Sequence, residues 1–183
     1  MEFIIGSLPA VKKRILTSAT DAPGIPDFVK FDNAAKVEFL SPLVEKEAVD
    51  ELLVQVVHSP EKDKVETLFR LICQVGNKSM IVFCNHRESV ERTSEYLLEK
   101  GIVNVFYHGG MEQYERESAM CKFKNGTSNV LITTDLASRG LDIPNIKYII
   151  HFHLPPTPDV YTHRNGRTAR MTAGGKSILI LSK

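Results

Sequence analysis

The sequence predicts an α/β fold in which a mostly parallel β-sheet is flanked by α-helices. Short, mostly apolar segments alternate with longer amphipathic ones along the chain, and this alternation is typical of a parallel sheet with right-handed crossovers. The apolar segments show no polar side, as expected of strands that are covered on both faces. In such a sheet, ligands bind beyond the carboxyl ends of the strands.

Five segments are predicted to be the strands of this sheet. Each is short and apolar, and each is separated from the next by a segment with helical periodicity or by turn residues. The predicted strands are Met80–Cys84, Val103–Tyr107, Val130–Ile132, Tyr148–Phe152 and Ile178–Leu181.

Four helices are predicted from apolar residues that recur three and four positions apart. The first is expected to begin with Ser59 as its cap and Pro60 in its first turn, and to end at Gly76. The fourth runs from Pro158 toward Arg170. The expected buried faces of the first three are Val65, Leu68, Phe69 and Ile72; Val90, Thr93, Ser94 and Leu97; and Tyr114, Ser118 and Cys121.

Composition restricts the possible function classes. A chain of 183 residues, 43% of them hydrophobic, can bury the core of one domain with a remainder. The formal net charge of +1 provides no bulk positive field, so any nucleic-acid binding must be local. Cys73, Cys84 and Cys121 are widely spaced, which predicts neither disulfides nor a zinc site and fits a cytoplasmic protein. No signal peptide or membrane span is predicted.

The first forty residues do not fit the alternating pattern. They contain two strand-like segments, Lys13–Thr17 and Lys36–Leu40, separated by a Pro-Gly-Ile-Pro turn. We therefore predict a separate structural remnant over residues 1–40, a charged linker over 41–52, and the main domain over 53–183. A strand cut off from its own sheet can pair with another copy, so a dimer through the remnant is possible.

Two stretches of the main domain predict a site for a nucleoside triphosphate. The run YTHRNGRTARM places Arg164, Arg167 and Arg170 at helical spacing. A planar guanidinium group can donate two parallel hydrogen bonds to the oxygens of one phosphate. The run TTDLASRGLDIP, from Thr133 to Pro144, comes directly after a predicted strand and places polar residues where that strand ends. The alternative for the arginines is a solvated basic helix end, which the helix dipole favours.

Five strings carry a resemblance to a known family: RILTSAT, IVFCNHR, HGGMEQYERE, TTDLASRGLD and HRNGRTAR. In this order and at these separations they resemble the later motifs of the DEAD-box RNA helicases of superfamily 2, over nearly the whole chain. The resemblance implies two RecA-like domains that close on ATP and RNA. This chain would hold the tail of the first domain and most of the second, a three-layer RecA-like domain.

Two motifs of the family are missing from the sequence. The phosphate loop GxxxxGK[ST] and the Asp-Glu-Ala-Asp box, which the family carries in its first domain, do not occur in it. The string Gly174–Ser177 imitates the end of a phosphate loop but is interpreted as a tight turn, because a strand follows it. We therefore expect both ends of the chain to be cut, Mg²⁺ to be bound mainly by the missing first domain, and the fragment alone to be inactive.

The resemblance also implies roles at the nucleotide. Arg167 and Arg170 would be arginine fingers on the γ-phosphate of ATP, and Asp142, with Gly140, would contact the ribose. For Asp142, as for Asp135, the alternative is ordinary loop capping. The residues implied in catalysis or in coupling to the other domain are His163, Arg164, Gly166, Ser18, Ala19 and Thr20.

A second set of residues is implied in binding RNA through its sugar-phosphate backbone, which carries no base sequence. The alternative for Arg116 is a surface salt bridge with Glu112 or Glu115. The RNA-binding candidates are Asn85, His86, Arg87, Gly109, Gly110, Gln113, Arg116, Thr134 and Arg139.

Two other functions stay open at this point. A DNA-directed helicase or translocase of the same superfamily would more often carry glutamine in place of His163. A non-catalytic α/β interaction module would account for the missing phosphate loop. His151 and His153 share one side of a predicted strand, but without an evident third ligand they are expected to pack or to lie at the surface and not to bind a metal.

Overall fold

The structure is a computed structural model of the whole chain, which divides into two units, Met1–Glu45 and Lys46–Lys183. It describes Ser7 and residues 52–138, 143, 146–168 and 175–182. The two strands predicted in the first forty residues, the Ser18-Ala19-Thr20 segment and nearly all of the linker lie outside these residues. The predicted domain boundaries and the dimer therefore stay predictions.

The second unit is built on one sheet of six parallel strands. Their order across the sheet is β1-β6-β5-β2-β4-β3, and each neighbouring pair is parallel. The strands are β1 (Leu53–Ser59), β2 (Met80–Cys84), β3 (Val105–Tyr107), β4 (Val130–Thr134), β5 (Tyr148–His151) and β6 (Lys176–Ser182).

The helices alternate with these strands, as predicted. They are α1 (Val65–Val75), α2 (Arg87–Glu99), α3 (Gln113–Lys124), the single turn α4 (Asp135–Ser138) and α5 (Pro158–Asn165). Among the described residues, none of these helices has the length and apolar character that crossing a bilayer requires.

Two apolar cores, one on each face of the sheet, make the domain three layers thick. Strand β2 is fully buried, and its alternate residues belong to different cores because successive side chains point to opposite faces. Met80, Val82 and Cys84 pack with α1 and α2, whereas Ile81 and Phe83 pack with α3. The predicted α/β sandwich and the buried faces of α1 and α2 are confirmed, with Phe69 only partly buried.

Strand β1 was not predicted, and the role given to Ser59 was wrong. The segment LVQVVHS pairs with β6, and Ser59 is its buried last residue. The Ser59 hydroxyl accepts a hydrogen bond from Thr67 Oγ1 at 2.9 Å, while α1 begins only at Val65, after Lys64. Because β1 is an edge strand with Val54 and Val56 about half exposed, it lacks the buried character that identified the central strands.

Two helix predictions also need correction. Helix α3 forms, but it buries Ala119 and Phe123, whereas Tyr114 is 71% exposed and Ser118 and Cys121 are exposed as well. Helix α5 ends at Asn165 because Gly166 caps it. These corrections matter for function because they alter which side chains face the solvent near the predicted site.

The end of α5 determines where the arginines of the YTHRNGRTARM run lie. Thr168, two residues beyond the Gly166 cap, forms a parallel bridge with Ile146. Arg164 is therefore helical and Arg167 is not, so the expectation of one helix carrying both is wrong. Thr168 also packs so closely against Gly175 that a Cβ atom at position 175 would overlap the side chain of Thr168.

Candidate functional site

The carboxyl ends of the parallel strands bring three of the sequence motifs together at one edge of the sheet. Asn85 follows β2, His108 follows β3 and Asp135 follows β4, and these three strands are adjacent. Ligands of parallel α/β sheets bind at this edge. The predicted ligand-binding loops therefore lie where the fold favours binding.

Arg164 occupies the centre of this edge and is buried, with 1% of its surface exposed. Its Nε and one Nη atom donate to the two carboxylate oxygens of Asp135, at 2.5 and 2.7 Å. The same Nη donates to Asn85 Oδ1 at 2.9 Å, and the other donates to the carbonyl oxygen of His153 at 2.7 Å. The guanidinium thus connects the segments after β2, β4 and β5 to α5.

This arrangement gives Arg164 a different place from the one that the helical spacing suggested. The anion that it contacts is the carboxylate of Asp135 within its own domain, and its guanidinium also lies 5.0 Å from the centre of the Phe83 ring. A buried guanidinium is tolerated only when its charge is paired and its donors are used. The predicted coupling of Arg164 to another domain stays a prediction, and any such effect would pass through the residues that Arg164 holds.

His151, beneath Arg164, is neutral in the folded protein at neutral pH. Arg164 Nη1 lies 3.4 Å from His151 Nδ1, and because arginine only donates, Nδ1 accepts and the proton belongs on Nε2. Nε2 has the hydroxyl of Ser177 at 3.1 Å and Asn165 Oδ1 at 3.3 Å as partners. Burial, together with the charge of Arg164, lowers the pKa of His151 from 6.5 to about 4. His151 therefore packs in the domain, as expected.

The lowered pKa of His151 predicts a loss of stability in acid. As the pH falls below 6.5 the unfolded chain binds a proton at His151, while the folded chain does so only near a pKa of about 4. The free energy of unfolding should therefore fall by about 1 to 2 kcal/mol from this group between about pH 7 and about pH 5. Urea unfolding at several pH values measures this slope, and His151→Gln should reduce it. An unchanged slope in the variant would contradict the assignment.

His163 and Arg167 lie on the outer side of this network. They line a small cleft together with Val160, Arg164, Asp135 and Ser138. His163 is exposed and Arg167 is partly buried, and the Arg167 N–H donates to the carbonyl of Arg164 at 3.2 Å. An imidazole and a guanidinium side by side fit an anionic group such as phosphate. Gly140, Asp142 and Arg170, which complete the predicted nucleotide site, lie outside the described residues.

The two loops with most of the predicted RNA-binding residues contact each other. A Cβ atom built on Gly109 or Gly110 would lie 3.5 or 3.2 Å from the guanidinium of Arg87, so Arg87 lies against the glycine backbone. His108 anchors the same loop, since its Nδ1 accepts the N–H of Gly110 at 3.1 Å. The missing side chain favours this approach at Gly110, where a Cβ atom would be in tight contact with Arg87, whereas the distance at Gly109 is an ordinary van der Waals contact.

The start of α2 offers backbone donors beside these loops. Its N-cap residue, His86, makes no side-chain capping hydrogen bond, and the first N–H groups of a helix favour an anion. Asn85 contributes differently, because its amide is used within the domain: Oδ1 accepts from Arg164 and Nδ2 donates to the carbonyl of Leu154 at 3.2 Å. His86 and Arg87 are thus better placed than Asn85 to meet a phosphate.

Helix α3 presents Gln113 and Arg116 on its first turn. Glu112 and Glu115 form a capping box there, and within residues 52–138 Arg116 makes no ion pair with either carboxylate, contrary to the salt-bridge alternative. The buried Nε of Arg116 has no hydrogen-bond partner there. Gln113 donates to Glu117 at 2.7 Å. Thr134, at the end of β4, is partly buried, and Arg139 lies outside the described residues.

Two residues of this site were missed by sequence reasoning. Asp135 was interpreted only as a loop-capping residue, although it is the counterion of Arg164, and Phe83 was counted only as a strand residue. The two partners of the ion pair are 29 positions apart, and no local pattern links a carboxylate to an arginine at that separation. The position of Asp135 at the end of a strand was the one available signal.

Comparison with known proteins identifies the family. The model of the helicase conserved C-terminal domain matches residues 63–172. The ATP-dependent rRNA helicase RRP3 of Yarrowia lipolytica is 34% identical over 185 residues, covering 100% of this chain and 38% of that protein. The ATP-dependent RNA helicase mak5 of Schizosaccharomyces pombe is 36% identical over 79% of this chain and 22% of its own length. The chain thus spans well under half of these relatives.

Solved structures give the same result. The Escherichia coli DEAD-box protein SrmB, solved with the regulator of ribonuclease activity A, superposes with a TM-score of 0.68 at 34% identity, over 72% of this chain and 78% of that chain. Dbp5 of Saccharomyces cerevisiae, solved with RNA and ADP BeF3, gives a TM-score of 0.66 at 27% identity, over 74% of this chain and 36% of that chain. The fold, the order of the motifs and these matches show that the chain belongs to the DEAD-box RNA helicase family and contains its RecA-like C-terminal domain.

Proposed function

We propose that this chain is the second-domain part of an ATP-dependent RNA helicase, which couples ATP hydrolysis to RNA binding and local duplex unwinding. In this proposal Arg167 and Arg170 stabilise the charge that develops on the γ-phosphate. Asp142, with Gly140, binds the ribose of ATP. His163, Gly166 and the Ser18–Thr20 segment couple the two domains.

The observation that carries the proposal is the position of Arg164 between the two predicted ligand sites. It donates to Asn85, next to the predicted RNA-binding residues His86 and Arg87, and to Asp135, which lines the cleft with His163 and Arg167. Because the guanidinium is planar and fully bonded, a shift of either segment alters its bonds to the other. This connection supports a coupling of RNA binding to the γ-phosphate contacts.

The cofactor chemistry follows from the side chains that line the cleft. Arg167 and His163 suit a nucleoside triphosphate, because its γ-phosphate is an anion. Among the described residues no group of three or more His, Cys, Asp or Glu side chains is placed to hold a metal ion. We propose that Mg²⁺ is held mainly by the first domain, because the phosphate loop lies there in this family. The role of Arg167 is then to contact the γ-phosphate from the side opposite to the first domain.

RNA is the proposed polymer, bound through its sugar-phosphate backbone. The net charge of +1 leaves local groups to bind it: Arg87, Arg116 and the start of α2. Two similar structures support this, since Dbp5 was solved with RNA and domain 2 of Mss116p with an RNA duplex, at 25% identity and a TM-score of 0.61. No observation favours the DNA-directed or the non-catalytic alternative. The three free cysteines support a cytoplasmic location as part of this proposal.

Joining the chain to a first domain of the same family tests the proposal. The chain alone should hydrolyse ATP at the background rate, because it holds one side of the site. The two-domain protein should hydrolyse ATP, and single-stranded RNA should stimulate it at least ~10-fold more than DNA of the same sequence, measured by phosphate release. Equal stimulation by DNA, or no stimulation by either polymer, would contradict the proposed function.

A further inference from the structure

A second cleft opens at the carboxyl edge of the sheet, away from the His163 and Arg167 cleft. Its volume is about 280 Å³, and it shares no lining residue with the first cleft. It lies between the segment before α1, the side of α2 and the segment that follows β5. Its lining residues are Lys62, Asp63, Lys64, Arg92, Phe152 and His153.

The cleft carries more positive charge than its own carboxylate compensates. Lys62, Lys64 and Arg92 contribute three positive charges, and Asp63 contributes one negative charge. Both Asp63 oxygens are within 3.2 Å of Arg92 Nη2, so this pair is neutral as a unit. Burial lowers the pKa of His153 to about 4, so its ring is uncharged at neutral pH. A net charge of about +2 remains on Lys62 and Lys64.

Lys64 is held at the wall of the cleft by the fold. Its Nζ donates to the carbonyl of Ile180 at 3.0 Å and lies 5.4 Å from the centre of the Phe152 ring. Burial lowers the pKa of Lys64, since the ammonium is partly desolvated and, among the described residues, has no carboxylate partner. An anion in the cleft would supply that missing partner.

The cleft begins beside the predicted RNA-binding loop. The Asn85 N–H donates to His153 Nδ1 at 3.3 Å, and the rings of His86 and His153 are 6.4 Å apart. His153 also lines the cleft. A polymer bound by His86 and Arg87 therefore has a basic cleft directly next to it.

We propose that this cleft extends the RNA track, the surface formed by Arg87, Arg116 and the start of α2. The cleft binds backbone phosphates of an RNA strand that continues past the loop of His86 and Arg87. Lys62 and Lys64 contact the phosphates, and the pair of Asp63 and Arg92 limits the local charge. The contacts carry no base sequence. This inference rests on the proposed RNA binding, because the ligand of the cleft is an RNA that His86 and Arg87 already bind, and not an isolated small anion.

The test uses the whole chain, single-stranded RNAs of two lengths and fluorescence anisotropy over a range of salt concentrations. Lys62→Gln should weaken binding of an RNA of about 12 nucleotides by ~3- to 10-fold and reduce its salt slope by about 0.7, the value for one phosphate contact on a single strand. Binding of an RNA of about 5 nucleotides should not change, since it ends before the cleft.

Asp63→Asn should change the affinity for the longer RNA in the opposite direction. The asparagine keeps an oxygen that can accept the Val65 N–H, as Asp63 does now, but it releases Arg92 from its ion pair. Binding of the longer RNA should therefore tighten and its salt slope should steepen. Lys78→Gln is the matched control, because Lys78 is an exposed lysine just before β2, at the opposite edge of the sheet.

The outcomes separate the inference from the proposed function. If Lys62→Gln and Asp63→Asn bind the longer RNA as Lys78→Gln does, while Arg116→Gln weakens both RNAs, the extension is wrong and the RNA track stands. If the unaltered chain binds neither RNA, both the track and its extension are wrong. Binding of an acidic peptide that depends on Lys62, together with RNA binding that does not, would assign the cleft to a protein partner and overturn the inference.

Discussion

Replacing Arg167 by alanine in the two-domain protein is expected to lower RNA-stimulated ATP turnover by ~10³-fold or more. The charge that develops on the transferring phosphoryl group loses a cation that contacts it mainly in the transition state, equivalent to roughly 4 kcal/mol of activation barrier. The effect should appear in kcat, with the affinity for RNA nearly unchanged, because Arg167 lines the cleft with His163 and not the loops of Arg87 and Gly110. Steady-state phosphate release and RNA anisotropy measure the two quantities.

Three further variants make this result specific. Arg167→Lys keeps the charge but loses the planar pair of donors, so its turnover should lie between those of the alanine variant and the unaltered protein. Arg70→Ala is the control: Arg70 is an exposed arginine on α1 that pairs with Glu66, and its loss should leave turnover unchanged. An alanine variant at position 167 with normal kcat would show that Arg167 is not an arginine finger. Arg170→Ala should act as Arg167→Ala does.

The central strands could be predicted from the sequence because burial on both faces leaves a continuous apolar run. Met80–Cys84 matches β2 residue for residue, and β4 and β5 differ from their predictions only at one end. Strand β1 was not predicted from the sequence. An edge strand is only partly covered by other elements, so its residues are a mixture of apolar and polar side chains. Helix α3 was predicted with the wrong face, because its hydrophobic side is reduced to two buried residues, Ala119 and Phe123.

The candidate site divides in a similar way. Residues that the motifs place at strand ends, such as Arg87 and Gly110, do come together, because strand ends of a parallel sheet converge on one edge. The orientation of Arg164 could not be predicted, since a charged residue in a basic motif gives no local sign of burial. Its burial depends on Asp135, Asn85 and His153, which come from three other segments of the chain.

Replacing Asp135 by alanine is expected to reduce the free energy of unfolding of this chain by about 3 to 5 kcal/mol. The change leaves the guanidinium of Arg164 buried, at 1% exposure, without its counterion and without two of its hydrogen-bond acceptors. Such a loss is a large fraction of the stability of a typical domain. Urea unfolding followed by circular dichroism measures it, and Asp135→Asn, which keeps one acceptor oxygen but no charge, should give an intermediate loss.

The control for this prediction is the exposed ion pair of Arg70 and Glu66, in which the arginine side chain is 75% exposed. Arg70→Ala should change the free energy of unfolding far less, because a surface pair one helical turn apart is screened by solvent. Equal losses in Asp135→Ala and Arg70→Ala would contradict a buried, counterion-dependent Arg164. The double variant Asp135→Leu/Arg164→Met should be more stable than Asp135→Ala, since it removes the unpaired charge. It should stay below the unaltered protein, because the acceptors on Asn85 and His153 lose their donor.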